Sequence, residues 1–227
     1  MCGRFTLSKP EKIQKRFNTA NKLPIFEPSY NISPSQTLPV ITRNSPNKII
    51  MMHWGFTPEW GKEKGFSLIN IRKETTQEKA YFKKILLNQR CLIPADGFYE
   101  WRTVNLEGQD EKYPFYVFLK ERKLFGFAGL YSKLEDAEGK AYYTFAILTC
   151  PPNKVVAEIH HRMPVILEKS DENIWLDPKN KDFDNLYELL KPYSEEQITI
   201  YPVSKRVNNP KNDDQGLIEE FRETKLF

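Results

Sequence analysis

The feature that most constrains this chain is a run of short apolar segments between residues 90 and 149. Five of them, at 90–93, 98–103, 113–119, 124–130 and 142–149, are rich in aromatic and β-branched residues, and most are separated by turns containing Gly or Asp. Segments of this length bounded by turn residues read as strands, because a helix of similar burial needs ten or more residues. Successive strands joined by short turns pair antiparallel, so the run predicts a sheet or half-barrel. Two later segments, 165–167 and 198–203, extend the pattern.

Helical signals lie around this run. In residues 8–17, Ser8 and Glu11 stand at capping-box spacing, and Ile13 and Phe17 share a face. Residues 75–87 repeat the arrangement with Thr75 and Glu78 as caps and Phe82 and Leu86 one turn apart. Shorter helices are expected at 153–159, 172–176 and 184–190. Residues 23–39 hold four prolines (Pro24, Pro28, Pro34 and Pro39) and read as an extended strap. Segments 38–42 and 48–53 form a hairpin around Asn44-Ser45-Pro46-Asn47. Residues 208–215 read as surface coil. Strand runs punctuated by helices place the chain in the α+β class, a largely antiparallel sheet or half-barrel flanked by short helices. With 227 residues and no internal repeat or low-complexity linker, a single domain over 1–227 is expected.

A formal net charge of +4 permits an anionic partner without requiring one, because a solvated Lys/Glu surface gives the same totals. The three cysteines, Cys2, Cys91 and Cys150, are odd in number and lack metal-ligand spacing. Together with the lack of a signal-peptide pattern or a long apolar run, they point to a reducing cytoplasm and away from a membrane.

Five constellations could carry chemistry. Cys2 follows Met1, and trimming of Met1 would expose an N-terminal cysteine with an α-amine and a thiol on adjacent carbons. The amine titrates at about 7.7–8.0 and the thiol at about 8.5. Such a 1,2-aminothiol condenses with an aldehyde to a Schiff base, which the thiol closes to a thiazolidine. Taken alone, Cys2 reads first as a position that simply tolerates any small residue. Nearby Arg4 suits a phosphate through bidentate bonds, or a surface ion pair. The loop from Trp54 to Trp60 is a poor strand or helix. It either packs the core, the commoner fate and the one expected more of Trp60, or offers Trp54 to stack a base.

Asn70 and Arg72 share one face of a short alternating segment, where carboxamide and guanidinium can hold a hydroxyl and a phosphate, or face solvent on an edge strand. Glu100, between Tyr99 and Trp101, is either partly desolvated and suited to acid/base work or outward-facing. His160 and His161 are adjacent. Their side chains should diverge, which makes them a poor metal pair, and either could be a general acid/base or a structural histidine.

Taken together, Met1-Cys2-Gly3-Arg4-Phe5, Tyr30-Asn31-Ile32-Ser33-Pro34, Trp54-Gly55-Phe56-Thr57-Pro58, Asn70-Ile71-Arg72-Lys73-Glu74-Thr75, Pro94-Ala95-Asp96-Gly97-Phe98-Tyr99-Glu100-Trp101 and Ile159-His160-His161-Arg162-Met163-Pro164 resemble the SOS response-associated peptidase (SRAP) family. Residues 203–210 look like the family's usual ending. Ile71 and His161 depart from it, where many relatives have Ala and Asp, and neither change removes a reactive group.

The resemblance implies covalent capture of abasic sites in single-stranded DNA by a monomer without cofactor or metal, with replication-fork proteins as candidate partners. It implies that Cys2 supplies amine and thiol, Glu100 moves protons, His160 bonds the opened sugar, and Asn70 orients the terminus or sugar oxygen. Arg4, Arg72 and Arg162 would contact phosphates, Thr149 a phosphate or sugar edge, and Trp54 would stack a base. "Peptidase" would refer to removal of Met1. The alternatives are a peptidase acting on protein substrates, a non-covalent single-strand binder, and a domain whose polar motifs satisfy each other.

Overall fold

The computed structural model describes residues 2–22, 24–106 and 108–221. Its first strand, β1 (Arg4–Leu7), leads through a 3-10 turn into α1 (Ile13–Phe17), followed by β2 (Ser29–Ile32), β3 (Thr37–Thr42), β4 (Ser45–Trp54) and β5 (Asn70–Arg72). Two helices, α2 (Lys73–Glu78) and α3 (Ala80–Asn88), precede the strand run β6 (Arg90–Ala95), β7 (Gly97–Leu106), β8 (Gln109–Leu119), β9 (Phe125–Glu135) and β10 (Ala141–Cys150). The remainder is α4 (Lys154–Ala157), β11 (Met163–Pro164), α5 (Glu172–Leu176), α6 (Phe183–Glu188) and β12 (Ile198–Pro202). This is the expected α+β architecture.

The strands form two sheets. The smaller has the order β12-β8-β7-β1-β2, and every pairing in it is antiparallel. In the larger sheet β10 pairs β4, β4 pairs β3, β3 pairs β6, β6 pairs β9, and β9 returns to β10. That circuit closes a small barrel, which removes exposed edges. Its interior is the main apolar core, with Phe127, Phe145, Ile93 and Val40 fully buried. Gly129 on β9 permits the close approach of β6, since a side chain there would overlap Ile93. Gly97 does the same in the small sheet, where a Cβ would overlap the Tyr116 ring.

Two departures from the antiparallel expectation matter for function. The first half of β10 pairs parallel with β4, and its second half pairs parallel with β5, Ile147 opposite Asn70 and Thr149 opposite Arg72. On the other side of that second half lies β11, with Cys150 opposite Met163. The end of β10 thereby brings together the motifs at 70–75 and 159–164.

Local expectations shifted where tertiary partners competed. The 8–17 helix is reduced to a 3-10 turn (Pro10–Lys12) and α1, because the Ser8 hydroxyl donates to Asp96 at 2.6 Å and does not cap. The 75–87 helix begins at Lys73 and breaks at Lys79, whose φ and ψ of −114° and 115° are extended. The hairpin turn is tighter than expected, with Thr42 opposite Ser45, so Ser45-Pro46-Asn47 belongs to β4. The strap contains β2, and its first residue, Leu23, lies outside the described residues. At 165–167 only an isolated bridge, Ile166 to Phe127, forms, just after β11. No helix among the described residues is long and apolar enough to cross a membrane.

Candidate functional site

The site forms where the start of β1 meets β7, β5 and the loop before β11. Arg4 pairs with Tyr99 and Phe5 with Phe98, so antiparallel register carries Cys2 toward Glu100 and Trp101. Cys2 is buried, and its thiol donates weakly to the Arg4 carbonyl at 3.8 Å. From β5, the Asn70 amide donates to the Cys2 carbonyl at 2.8 Å. The other amide atom, Asn70 Oδ1, is buried with no hydrogen-bond partner among the described residues. A buried carboxamide oxygen left in this way is costly and is suited to a donor on an incoming ligand.

Glu100 is 2% exposed, which decides its two readings in favour of burial. Burial pushes its carboxyl up to about 7, so near neutral pH it exists in both protonation states. Burial also raises the Cys2 thiol far above its usual value, and the nearby Glu100 carboxylate adds to that shift. His160 Nδ1 lies 3.9 Å from Glu100 Oε1. The same nitrogen lies 3.0 Å from both the backbone N–H and the carbonyl of Arg162, so the turn at Arg162 holds the ring in place. Burial lowers the His160 pKa, favouring the neutral ring. The two imidazoles do not diverge as expected. They stack with centroids 4.4 Å apart.

The structure thus brings Cys2, Asn70, Glu100 and His160 together, but it reassigns most of the residues expected to touch DNA. Arg162 is buried, and its two Nη atoms each donate to a Glu74 oxygen at 2.9 Å. One of them also donates to the Thr149 carbonyl at 2.6 Å. This guanidinium clamps the His160 loop onto β10 and α2 and presents no face to a phosphate. Thr149 is fully buried, with its hydroxyl 3.4 Å from the same Nη, so it is no phosphate contact either.

Arg4 ties β1 to β2 and to the 3-10 turn Lys205–Asn208, donating to Asn31 Oδ1 at 2.7 Å and the Val207 carbonyl at 2.8 Å. Trp54 is fully buried, stacked with Phe145 and tilted against Phe5, with its indole N–H donated to the Ile69 carbonyl at 2.9 Å. Its ring offers no face to a base. Arg72 pairs with Glu74 at 3.6 Å yet keeps a side chain 62% exposed.

A model of the family described as SOS response associated peptidase (SRAP) matches residues 1–210. The chain belongs to the SRAP family. It is 45% identical to the abasic site processing protein YoqW of Bacillus subtilis (strain 168), covering 96% of this chain and 99% of that one. It is 29% identical to the abasic site processing protein HMCES of Mus musculus, over 94% of this chain and 74% of that one. Among solved structures, a protein from Bacteroides thetaiotaomicron superposes with a TM-score of 0.84 at 27% identity, over 97% of this chain and all of the other.

This SRAP chain also carries a feature its motifs did not reveal. Trp60, expected in the core, is 54% exposed and lies beside Phe66 and Tyr81, with ring centroids 5.1 and 6.2 Å away. They wall an apolar groove of about 460 Å³ whose edge is formed by Asn70 and Arg72. The residue that holds Cys2 therefore also borders an aromatic surface. The only hint in the sequence was the Pro58 turn, after which Trp60 falls in a 3-10 segment (Glu59–Gly61) outside the barrel.

Proposed function

We propose that this chain processes abasic sites in single-stranded DNA by covalent capture through Cys2. The observation that carries the reading is the Cys2–Asn70–Glu100 arrangement: a chain start held by a carboxamide beside a carboxyl that titrates near neutrality. The names of the relatives, abasic site processing proteins, supply the substrate class.

Hydrolysis of the Met1–Cys2 bond exposes the Cys2 α-amine. The amine adds to the C1′ aldehyde of the ring-opened sugar, and loss of water leaves a C=N bond. The thiol then adds across it, sulfur to carbon and hydrogen to nitrogen, closing the thiazolidine. The raised thiol pKa sets the order of events: the thiol keeps its proton near pH 7, so the amine attacks first. Glu100 donates a proton to the departing hydroxyl and accepts one from the thiol, a task matched to a pKa of about 7. Neutral His160 hydrogen-bonds the opened sugar, and Asn70 Oδ1 accepts from a sugar hydroxyl or the new amine.

Recognition cannot use the missing base. It rests on Arg72 for a flanking phosphate and on the Trp60–Phe66 groove for stacking a neighbouring base. A protease acting on other proteins fits less well, because its nucleophile should be a thiolate and burial holds Cys2 protonated. Denaturing electrophoresis tests the proposal. Abasic single strands should carry a protein band that intact strands lack, and equal retention of both strands with no such band would refute it.

A further inference from the structure

A second groove lies away from Cys2, at the far end of the small sheet, and its rim is rich in lysine and arginine. It has a volume of about 880 Å³ and runs between α1, the β8–β9 turn and the segment after β11. Lys9, Lys12, Lys15 and Lys169 stand around it; Lys123 is paired with Glu121 at 2.9 Å, Arg122 donates to the Tyr201 hydroxyl at 2.9 Å, and Arg16 lies within, held by Glu172 at 2.8 and 2.7 Å. Against these seven basic groups stand Glu121 and Glu168 of the lining and Glu172, a local excess of positive charge.

The floor is apolar, formed by Leu119, Leu124, Phe125 and Leu167, all buried. The turn that carries part of the rim holds Glu121 and Arg122 at φ 62° and 48°, left-handed conformations unfavourable for these residues. Strain of this kind persists where the surroundings fix it and is frequent at binding sites.

We propose that this groove binds an acidic peptide segment of a partner protein, with apolar side chains on the floor and carboxylates against the rim. Nucleic acid fits less well. A single strand is held by exposed aromatic faces, whereas the aromatics lining this groove are Tyr193 and the buried Phe125. An apolar floor with a cationic rim matches a peptide that alternates the two kinds of side chain. The inference does not depend on the abasic-site reading.

The probe is a panel of fluorescent twelve-residue peptides combining Asp and Glu with Leu, Ile and Phe in varied spacing. Matched panels carry Asn and Gln in place of the acids, or Ser in place of the apolar residues, and an undamaged oligothymidylate is run beside them. Binding by fluorescence anisotropy should require both kinds of side chain and weaken with salt. The exposed triple substitution K12A/K15A/K169A should weaken it about tenfold, three rim charges at a fraction of a kcal/mol each, without lowering the melting temperature. Three results would overturn the proposal: no acidic peptide binding above the Asn/Gln panel, binding unchanged in the triple variant, or a variant that loses oligothymidylate while keeping the peptides.

Discussion

The Asn70 side-chain amide donates to the Cys2 carbonyl at 2.8 Å, joining positions 68 residues apart. One hydrogen bond from β5 thus aims the start of β1 at Glu100. Asn70→Ala should slow single-turnover adduct formation by about tenfold, the value of one well-placed hydrogen bond, while the final yield is unchanged. A rate equal to wild type would remove Asn70 from the site.

The Arg162–Glu74 clamp predicts a stability effect. Burial works to raise the Glu74 pKa, but the hydrogen bonds and charge of Arg162 outweigh it and hold the carboxyl below its ordinary range. Arg162→Ala leaves that carboxylate without its bidentate partner and should cost about 3 kcal/mol in urea unfolding. A smaller loss at acid pH is expected, since Glu74 protonates there and the clamp weakens in wild type as well. An unchanged unfolding midpoint would show that the pair does not anchor the His160 loop.

Glu100 predicts the opposite pH dependence. Its folded pKa of about 7 lies above the ordinary 4.5. Between those values the folded state holds a proton that the unfolded chain has released, so stability falls as pH rises through this window and levels off above it. The integrated loss is about 3 kcal/mol. Glu100→Gln is neutral in both states and should lack the slope, and its adduct rate should lose the inflection near neutrality. Parallel stability profiles for the two proteins would contradict the assignment.

The two tryptophans should separate folding from binding. Trp54→Ala empties a core position between Phe5 and Phe145 and should cost about 4 kcal/mol of stability. Trp60→Ala should leave stability nearly unchanged and weaken single-strand binding by about 1–3 kcal/mol. If the two effects are exchanged, the stacking surface is misplaced.

That contrast shows what was legible in the residues. The strand run, its turns and the α+β class follow from local patterns of length and side-chain type. Glu100 stood out because a carboxylate between two aromatics is exceptional in a strand. Exposure was harder to read. Trp54 is buried because β10 pairs parallel with the end of β4, a contact between residues 54 and 145 that no nearby residue announces. Arg4, Arg162 and Thr149 carry chemistry suited to phosphates, yet each is bound to a partner distant in sequence. The cap signal at Ser8 failed for a similar reason, its hydroxyl being drawn to Asp96, whereas Thr75 lies inside a helix that starts two residues earlier.

The most direct test of Cys2 as the capturing residue is intact mass spectrometry after mixing with an abasic oligonucleotide. The free protein should lack Met1, and the product should weigh the sum of trimmed protein and oligonucleotide less one water. Without reductant, Cys2→Ser and Cys2→Ala should both give none of this species; with borohydride each should give only the reduced amine, two hydrogens heavier than the corresponding imine. A full adduct on Cys2→Ala, or on a chain that retains Met1, would contradict the account.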